Sequence, residues 1–234
     1  MGRVNQKLRL GARPLVVGTV HDLAGFRQAG RAVSAVDLCE VRVDSLPKPV
    51  SPEDIRRLAL PAIVTVRDFV EGGSRRLPEG LRRELYLELL SESVAVDLEI
   101  RNLRAMRDVV TAAKAGGRKV IASFHDFQGV PSPALIRRLA AKARDAGADC
   151  VKVAAMTGNC GELSGLLRCV GALEDGPFAL MGMGKLGAAS RVLFAACGSC
   201  LNYGWLGSPQ VPGQLPVGEL AMAIASISGG SPRN

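Results

Sequence analysis

The chain has 234 residues, 47% hydrophobic and 22% charged, which excludes wholesale disorder and supplies material for a sizeable core. Aromatics are only 4%, so that core must be built from Ala, Val, Leu and Ile. The formal charge is +8, from 30 Lys+Arg against 22 Asp+Glu; the arginines are spread along the chain without interleaved aromatics, which points away from nucleic acid and toward an anionic small molecule.

Short apolar, β-branched runs alternate in chain order with longer segments of helical period. A strand over 14–20 leads into a helix over 22–31, then 36–43 into 52–58, 62–66 into 78–91 and 94–100 into 103–115. The second half repeats the pattern: 119–124 into 133–146, 149–154 into 161–171, 178–183 into 188–196 and 199–203 into 217–227. Eight strand–helix units predict a parallel sheet closed into a (β/α)8 barrel. Residues 8–10 are expected to form one strand of a small hairpin over the barrel floor, and 229–234 a frayed tail. No linker divides the chain, so residues 1–234 are expected to form one domain. No apolar run approaches the roughly 18 residues of a membrane span, and the basic N-terminus lacks the apolar stretch of a signal peptide. Gln6 stands where myristoylation requires Ser or Thr. A cytoplasmic protein without a membrane partner is the expectation.

In such a barrel, chemistry sits at the C-terminal ends of the strands. Strand two carries Glu40, Arg42 and Asp44, which the period of two places on one side. Strand three ends in Arg67, with Glu71 in the Gly-rich loop behind it. Strand four carries Asp97 and Glu99, and strand five ends in His125-Asp126. Lys152 lies between Val151 and Val153 on strand six; burying such an amine disfavours its charged form and favours the neutral nucleophile of Schiff-base chemistry. His125, on the adjacent strand, faces the same pocket, and an imidazole titrating near neutrality suits proton transfer there. His21 reads as a surface residue. Arg42, Arg67 and Arg191 together predict a carboxylated, hydroxylated ligand, because a guanidinium binds carboxylate at two points.

Two motifs are set aside. Gly182-Met-Gly-Lys-Leu-Gly187 spells a dinucleotide fingerprint, yet it falls in unit seven, and strand eight offers Asn202 and Tyr203 where an acid is required. Those glycines are expected to bring backbone amides to an anion. Cys197-Gly-Ser-Cys200 ends a helix and enters a strand, the reverse of a redox Cys-x-x-Cys, and Leu201 follows where a papain-type site needs Trp or Tyr. Cys160 and Cys169 make a poor second ligand pair for zinc, and Cys39 and Cys150 read as small buried hydrophobes.

Six segments, in order, resemble the type I 3-dehydroquinases. They are Glu40-Val-Arg-Val-Asp44; Thr65-Val-Arg67 with Glu71-Gly-Gly; Ser123-Phe-His-Asp-Phe127; Val151-Lys-Val-Ala154; Met181-Gly-Met-Gly-Lys-Leu-Gly187 with Ser190-Arg191; and Pro212-Gly-Gln214. The resemblance runs from about residue 8 to residue 227. It implies a barrel, commonly a homodimer, that uses no cofactor and no metal and dehydrates 3-dehydroquinate to 3-dehydroshikimate in the shikimate pathway of aromatic biosynthesis. It further implies Lys152 as the Schiff-base lysine, His125 as general acid/base and Glu71 as the acid orienting that histidine. Arg191 is implied to hold the substrate carboxylate, Glu40, Arg42 and Arg67 the ring hydroxyls and ketone region, and Gln214 to act as a lid residue. Thr19 falls where the family usually has a small hydroxyl residue. Gln210 departs from the pattern, standing where the family often has Ser or Thr, so one hydroxyl contact to the substrate is replaced. Two other readings stay open at this point: a class I aldolase-like barrel sharing Lys152, and an inactive barrel kept as an interaction protein.

Overall fold

The structure, a computed structural model, describes residues 8–227 apart from 32 and 35. Strands β1 (Leu15–Val20), β2 (Leu38–Arg42), β3 (Ala62–Thr65) and β4 (Ala95–Glu99) alternate with helices α1 (Leu23–Ala29), α2 (Pro52–Arg56), α3 (Glu79–Leu89) and α4 (Arg107–Ala115). Then come β5 (Lys119–Asp126), α5 (Pro133–Asp145), β6 (Cys150–Met156), α6 (Cys160–Leu167), β7 (Phe178–Met183), α7 (Gly187–Ala196), β8 (Leu201–Trp205) and α8 (Val217–Ile227). The helices start where the sequence can satisfy their free amides. Asp22, Ser132 and Asn159 cap α1, α5 and α6, and Ser51 with Asp54 forms a reciprocal capping box on α2.

All strand pairings are parallel, in the order β7-β6-β5-β4-β3-β2-β1-β8. The β7–β8 seam closes through single contacts: Cys200 N–H donates to Phe178 O at 2.8 Å, and Leu180 N–H to Ser199 Oγ at 3.1 Å. The (β/α)8 expectation is met. One apolar layer lies between strands and helices. A second fills the barrel floor with Leu15, Val17, Leu38, Ile63, Ile121, Cys150 and Leu201. Above that floor the barrel interior turns polar.

Several boundaries differ from the sequence expectation for identifiable reasons. Residues 8–10 form no strand; Leu8 and Leu10 pack as side chains against the floor cluster instead. The tail at 229–234 lies outside the described residues. β5 runs two residues further than expected because His125 and Asp126 pair with Ala154 and Ala155 of β6. α4 starts late because the chain first makes a 3-10 turn at Ile100–Asn102, where the Asn102 amide donates to Asp68 and Glu99 at 2.8 and 3.0 Å.

β3 has only four residues, and Tyr86 of α3 extends its bonding to β4. Its buried hydroxyl accepts from Val66 N–H at 2.9 Å and donates to Asp97 O at 2.6 Å. Tyr86→Phe leaves both backbone groups without that partner. It is expected to cost about 1–3 kcal/mol in urea unfolding at unchanged m-value, the range for an orphaned buried hydrogen-bonding group.

Candidate active site

Alternation along parallel strands brings charged side chains into the upper barrel. The buried Lys152 Nζ lies 3.0 Å from Glu40 Oε1, 2.9 Å from Asp97 Oδ2 and 3.9 Å from the centre of the Tyr203 ring. Thr65 Oγ1 donates to the same Glu40 oxygen at 2.9 Å. Arg67 donates to Asp97 at 3.0 Å, to Glu99 at 2.9 Å and to Ser123 Oγ at 2.7 Å. Burial opposes ionisation of Asp97, but Arg67 and then Lys152 outweigh it and hold this carboxyl far below the usual carboxylate range. Arg42 makes a two-point contact with Asp44 at 3.0 and 2.9 Å and reaches Gly72 O at 3.1 Å.

Glu71 sits on a 3-10 turn, Phe69–Glu71, which ends at Gly72 with φ +87°. Its Oε2 accepts the His125 backbone N–H at 3.1 Å and lies 3.0 Å from His125 Nδ1. Phe127 stacks on the imidazole with ring centres 6.5 Å apart.

Arg191, on α7, is different. Its Nε donates to Tyr203 O, and Nη1 to the carbonyls of Gly182, Gly187 and Gly213, at 2.8–3.2 Å. Among the described residues it has no carboxylate partner. Burial lowers its affinity for the proton to a pKa of about 10, still cationic at neutral pH. The segment after β8 folds over the barrel mouth: Gln214 Nε2 donates to Thr19 Oγ1 at 3.3 Å, and Gln214 Oε1 accepts Gln210 N–H at 3.4 Å. Gly184 N–H donates to Pro212 O at 2.9 Å. A side chain at Gly213, whose φ is +78°, would meet Gly184 O at 2.0 Å, so only glycine lets the segment dock this closely.

All ten residues singled out from the sequence line one cavity of about 220 Å³ at the C-terminal mouth of the barrel. That is below the ~300–1,000 Å³ of drug-sized sites and suits one small metabolite. Among the described residues, no group of three His, Cys, Asp or Glu is placed to hold a metal ion, and no helix is long and apolar enough to cross a membrane.

Residues 14–231 match the family model for type I 3-dehydroquinase. The chain belongs to that family. It is 36% identical over 204 residues to a 3-dehydroquinate dehydratase of Methanothrix thermoacetophila, covering 86% of this chain and 87% of the relative. It is 38% identical over 204 residues to one of Methanosarcina acetivorans, covering 81% and 84%. A crystal structure of 3-dehydroquinate dehydratase from Geobacillus kaustophilus superposes with a TM-score of 0.84 at 23% identity, over 96% of this chain and 97% of that one, which supports the fold.

Within this 3-dehydroquinase barrel, four expectations are revised. The three guanidiniums are not equivalent: Arg42 and Arg67 are neutralised by Asp44, Asp97 and Glu99, and Arg191 alone faces the cavity without a counter-anion. The Gly182–Gly187 glycines present carbonyls to Arg191, where amides to an anion were expected. His21 is partly buried, with Nε2 3.3 Å from Ser208 Oγ of the closing segment. Lys152 is not isolated by its valine neighbours; it is held between two carboxylates. Sequence reading had named Asp97 and Glu99 without placing them at the site, and it missed Tyr203, Met181 and Met183; an inward parity on their strands was the available signal.

The expectation of a near-neutral His125 is also revised. Burial, then Arg67 and Lys152, hold its imidazole well below 6.5, whereas burial, opposed by Arg67, pushes the Glu71 carboxyl up to about 7. Glu71 therefore contributes stability below its unfolded value of 4.5 that is lost as pH rises through about 7. His125 contributes stability above 6.5 that is lost as pH falls toward its depressed folded value. Between those two unfolded values the effects offset, because folding moves one proton from imidazole to carboxyl. Above pH 7 the carboxylate accepts Nδ1–H and leaves the lone pair on Nε2; below it, the carboxylic acid donates to Nδ1 and the hydrogen sits on Nε2. With two histidines in the chain, imidazole ¹⁵N shifts can follow this directly. His125 is expected to change tautomer near pH 7 without becoming imidazolium at pH 6.5, and the step should vanish in Glu71→Gln.

Proposed function

We propose that this chain dehydrates 3-dehydroquinate to 3-dehydroshikimate through an imine on Lys152, with His125 as the proton-transfer group. The observation that carries the reading is a buried lysine and a neutral imidazole lining one small cavity beside an uncompensated buried guanidinium. Family membership and the named relatives support the same reading.

The substrate's carboxylate takes Arg191, the cavity cation that carries no counter-anion. Lys152 condenses with the ketone, releasing water and giving a protonated imine, a stronger electron sink than the ketone. His125 Nε2 removes the proton from the adjacent carbon, and the electrons pass to nitrogen as an enamine. The enamine expels the β-hydroxyl, which leaves as water with the proton held by His125. A second water then hydrolyses the conjugated imine, releasing the enone product and restoring the amine. Glu71 fixes the histidine tautomer, so the acid limb of kcat/KM is expected near pH 7, where that pair loses its proton. Glu40 and Asp97 orient Nζ, and Gln214 with Thr19 closes the mouth. The His125–Glu71 pair and the closing segment favour a dehydratase over an aldolase-like barrel, whose use of Lys152 requires neither. The working form is proposed as a cytoplasmic homodimer taking this small anion, with no nucleic acid, cofactor or metal.

Borohydride added during turnover should attach substrate to Lys152, located by peptide mass spectrometry. In Lys152→Ala trapping and turnover should disappear. That variant also leaves Glu40 and Asp97 without their ammonium, a loss of roughly 3–5 kcal/mol, so its folded state is checked by circular dichroism. His125→Ala should keep trapping and lose about 10²–10⁴-fold in kcat. Attachment of substrate to another lysine, or wild-type protein inert toward 3-dehydroquinate, refutes the reading.

A further inference from the structure

The side of the Lys152 ammonium not taken by carboxylates faces an aromatic ring. Nζ has three N–H donors; two are given to Glu40 and Asp97. The Tyr203 ring lies 3.9 Å from Nζ to its centre, on β8, a strand that supplies neither of the two acids. The ring lines the cavity and is buried at 3% exposure. Its hydroxyl has no hydrogen-bond partner among the described residues, so no polar contact of that group explains why the ring stands there. Its backbone carbonyl meanwhile accepts Arg191 Nε at 2.9 Å, so one residue touches both Lys152 and Arg191.

We propose that the face of the Tyr203 ring is a further catalytic element: it holds the cationic nitrogen of Lys152 before and after imine formation. This rests on the imine reading above. An ammonium offers three hydrogens, but a protonated imine offers one, so condensation with the ketone strips hydrogen bonds from the two carboxylates. The attraction between a cation and a π face is electrostatic and needs no N–H, so it survives that change. A third carboxylate in its place would add a further negative charge beside a nitrogen that already faces two. A neutral ring favours the cation without that excess and keeps water from that side of the nitrogen.

Three variants separate ring from hydroxyl and from packing. Tyr203→Phe keeps the face and is expected within about twofold of wild type in kcat, at equal or higher Tm, because only an unpartnered hydroxyl is removed. Tyr203→Leu and Tyr203→Met refill the space without a π face. Each should lower kcat, and the borohydride-trappable fraction at saturating substrate, by about tenfold, with a much smaller change in KM. Contact is read without substrate by ¹³C labelling of lysine Cε, which gives seven signals. Lys152 should be displaced upfield by the ring current in wild type and Tyr203→Phe, and not in Tyr203→Leu. An undisplaced Lys152 signal, a folded Leu or Met variant with wild-type kcat, or a Phe variant as slow as Leu overturns the proposal. An upfield signal in wild-type protein that neither traps nor dehydrates the substrate refutes the functional reading, and with it the catalytic part of this one, while the contact stands.

Discussion

Inside the upper barrel the charges form one continuous chain of contacts, from Lys152 to Asp97 and Glu40, from Asp97 to Arg67, from Arg67 to Glu99, and from Glu99 to Arg82 on α3. It ties strands β2, β3, β4 and β6 to a helix outside the sheet. Each member is buried, so each ion carries a desolvation cost that its neighbours must offset, and removing any one strands the rest. This constraint fixes what the site can do. In the proposed reaction a protonated imine would preserve the positive charge at position 152 and leave the network neutralised. The enamine of the proposed reaction would be neutral at that nitrogen, and the two carboxylates beside it favour return to the cationic imine as the hydroxyl leaves. The contacts that hold the barrel interior together thus place two carboxylates beside the nitrogen on which the proposed chemistry builds its cation.

The opposite side of the cavity is built on the reverse plan. Arg191 is surrounded by backbone carbonyls from β7, α7, β8 and the segment that closes the mouth. Carbonyl dipoles orient a guanidinium without cancelling its charge. The close approach depends on glycine: a side chain at Gly182 would meet Thr157 Oγ1 at 2.2 Å, and one at Gly213 would meet Gly184 O at 2.0 Å. One side of the cavity is internally neutralised and the other retains a net cation, an asymmetry that would give the proposed anionic substrate a single orientation.

The strand count and the barrel were legible in the sequence because each rests on local pattern, apolar runs with inward polar residues at period two; Thr19, Gln210 and Gln214 joined the cavity set only through the family resemblance. Which charges cancel was not legible. The Lys152–Glu40 contact spans 112 positions of chain and the Arg67–Ser123 contact 56, and no local pattern encodes either. The same blindness produced the expectation of an amine isolated by Val151 and Val153, since those neighbours describe the strand and not what faces it across the barrel. His21 illustrates the reverse case. Its sequence neighbours suggested a surface position, yet the closing segment brings Ser208 over it from 187 residues away.

The proton inventory of the His125–Glu71 pair shows why the histidine alone is the wrong unit of description. Two nearby cations, Arg67 and Lys152, disfavour an imidazolium, and burial penalises it further. Burial also penalises the carboxylate, and the pair resolves the conflict by keeping one proton without separating charge. In the proposed reaction a base that resists becoming a cation would return its proton readily to the departing hydroxyl. Arg67 and Lys152 thus keep the imidazole neutral through charges that the fold itself places beside it. What the proposed reaction leaves to Glu71 is the choice of which imidazole nitrogen faces the substrate, and the 3.0 Å contact to Nδ1 is sufficient for that.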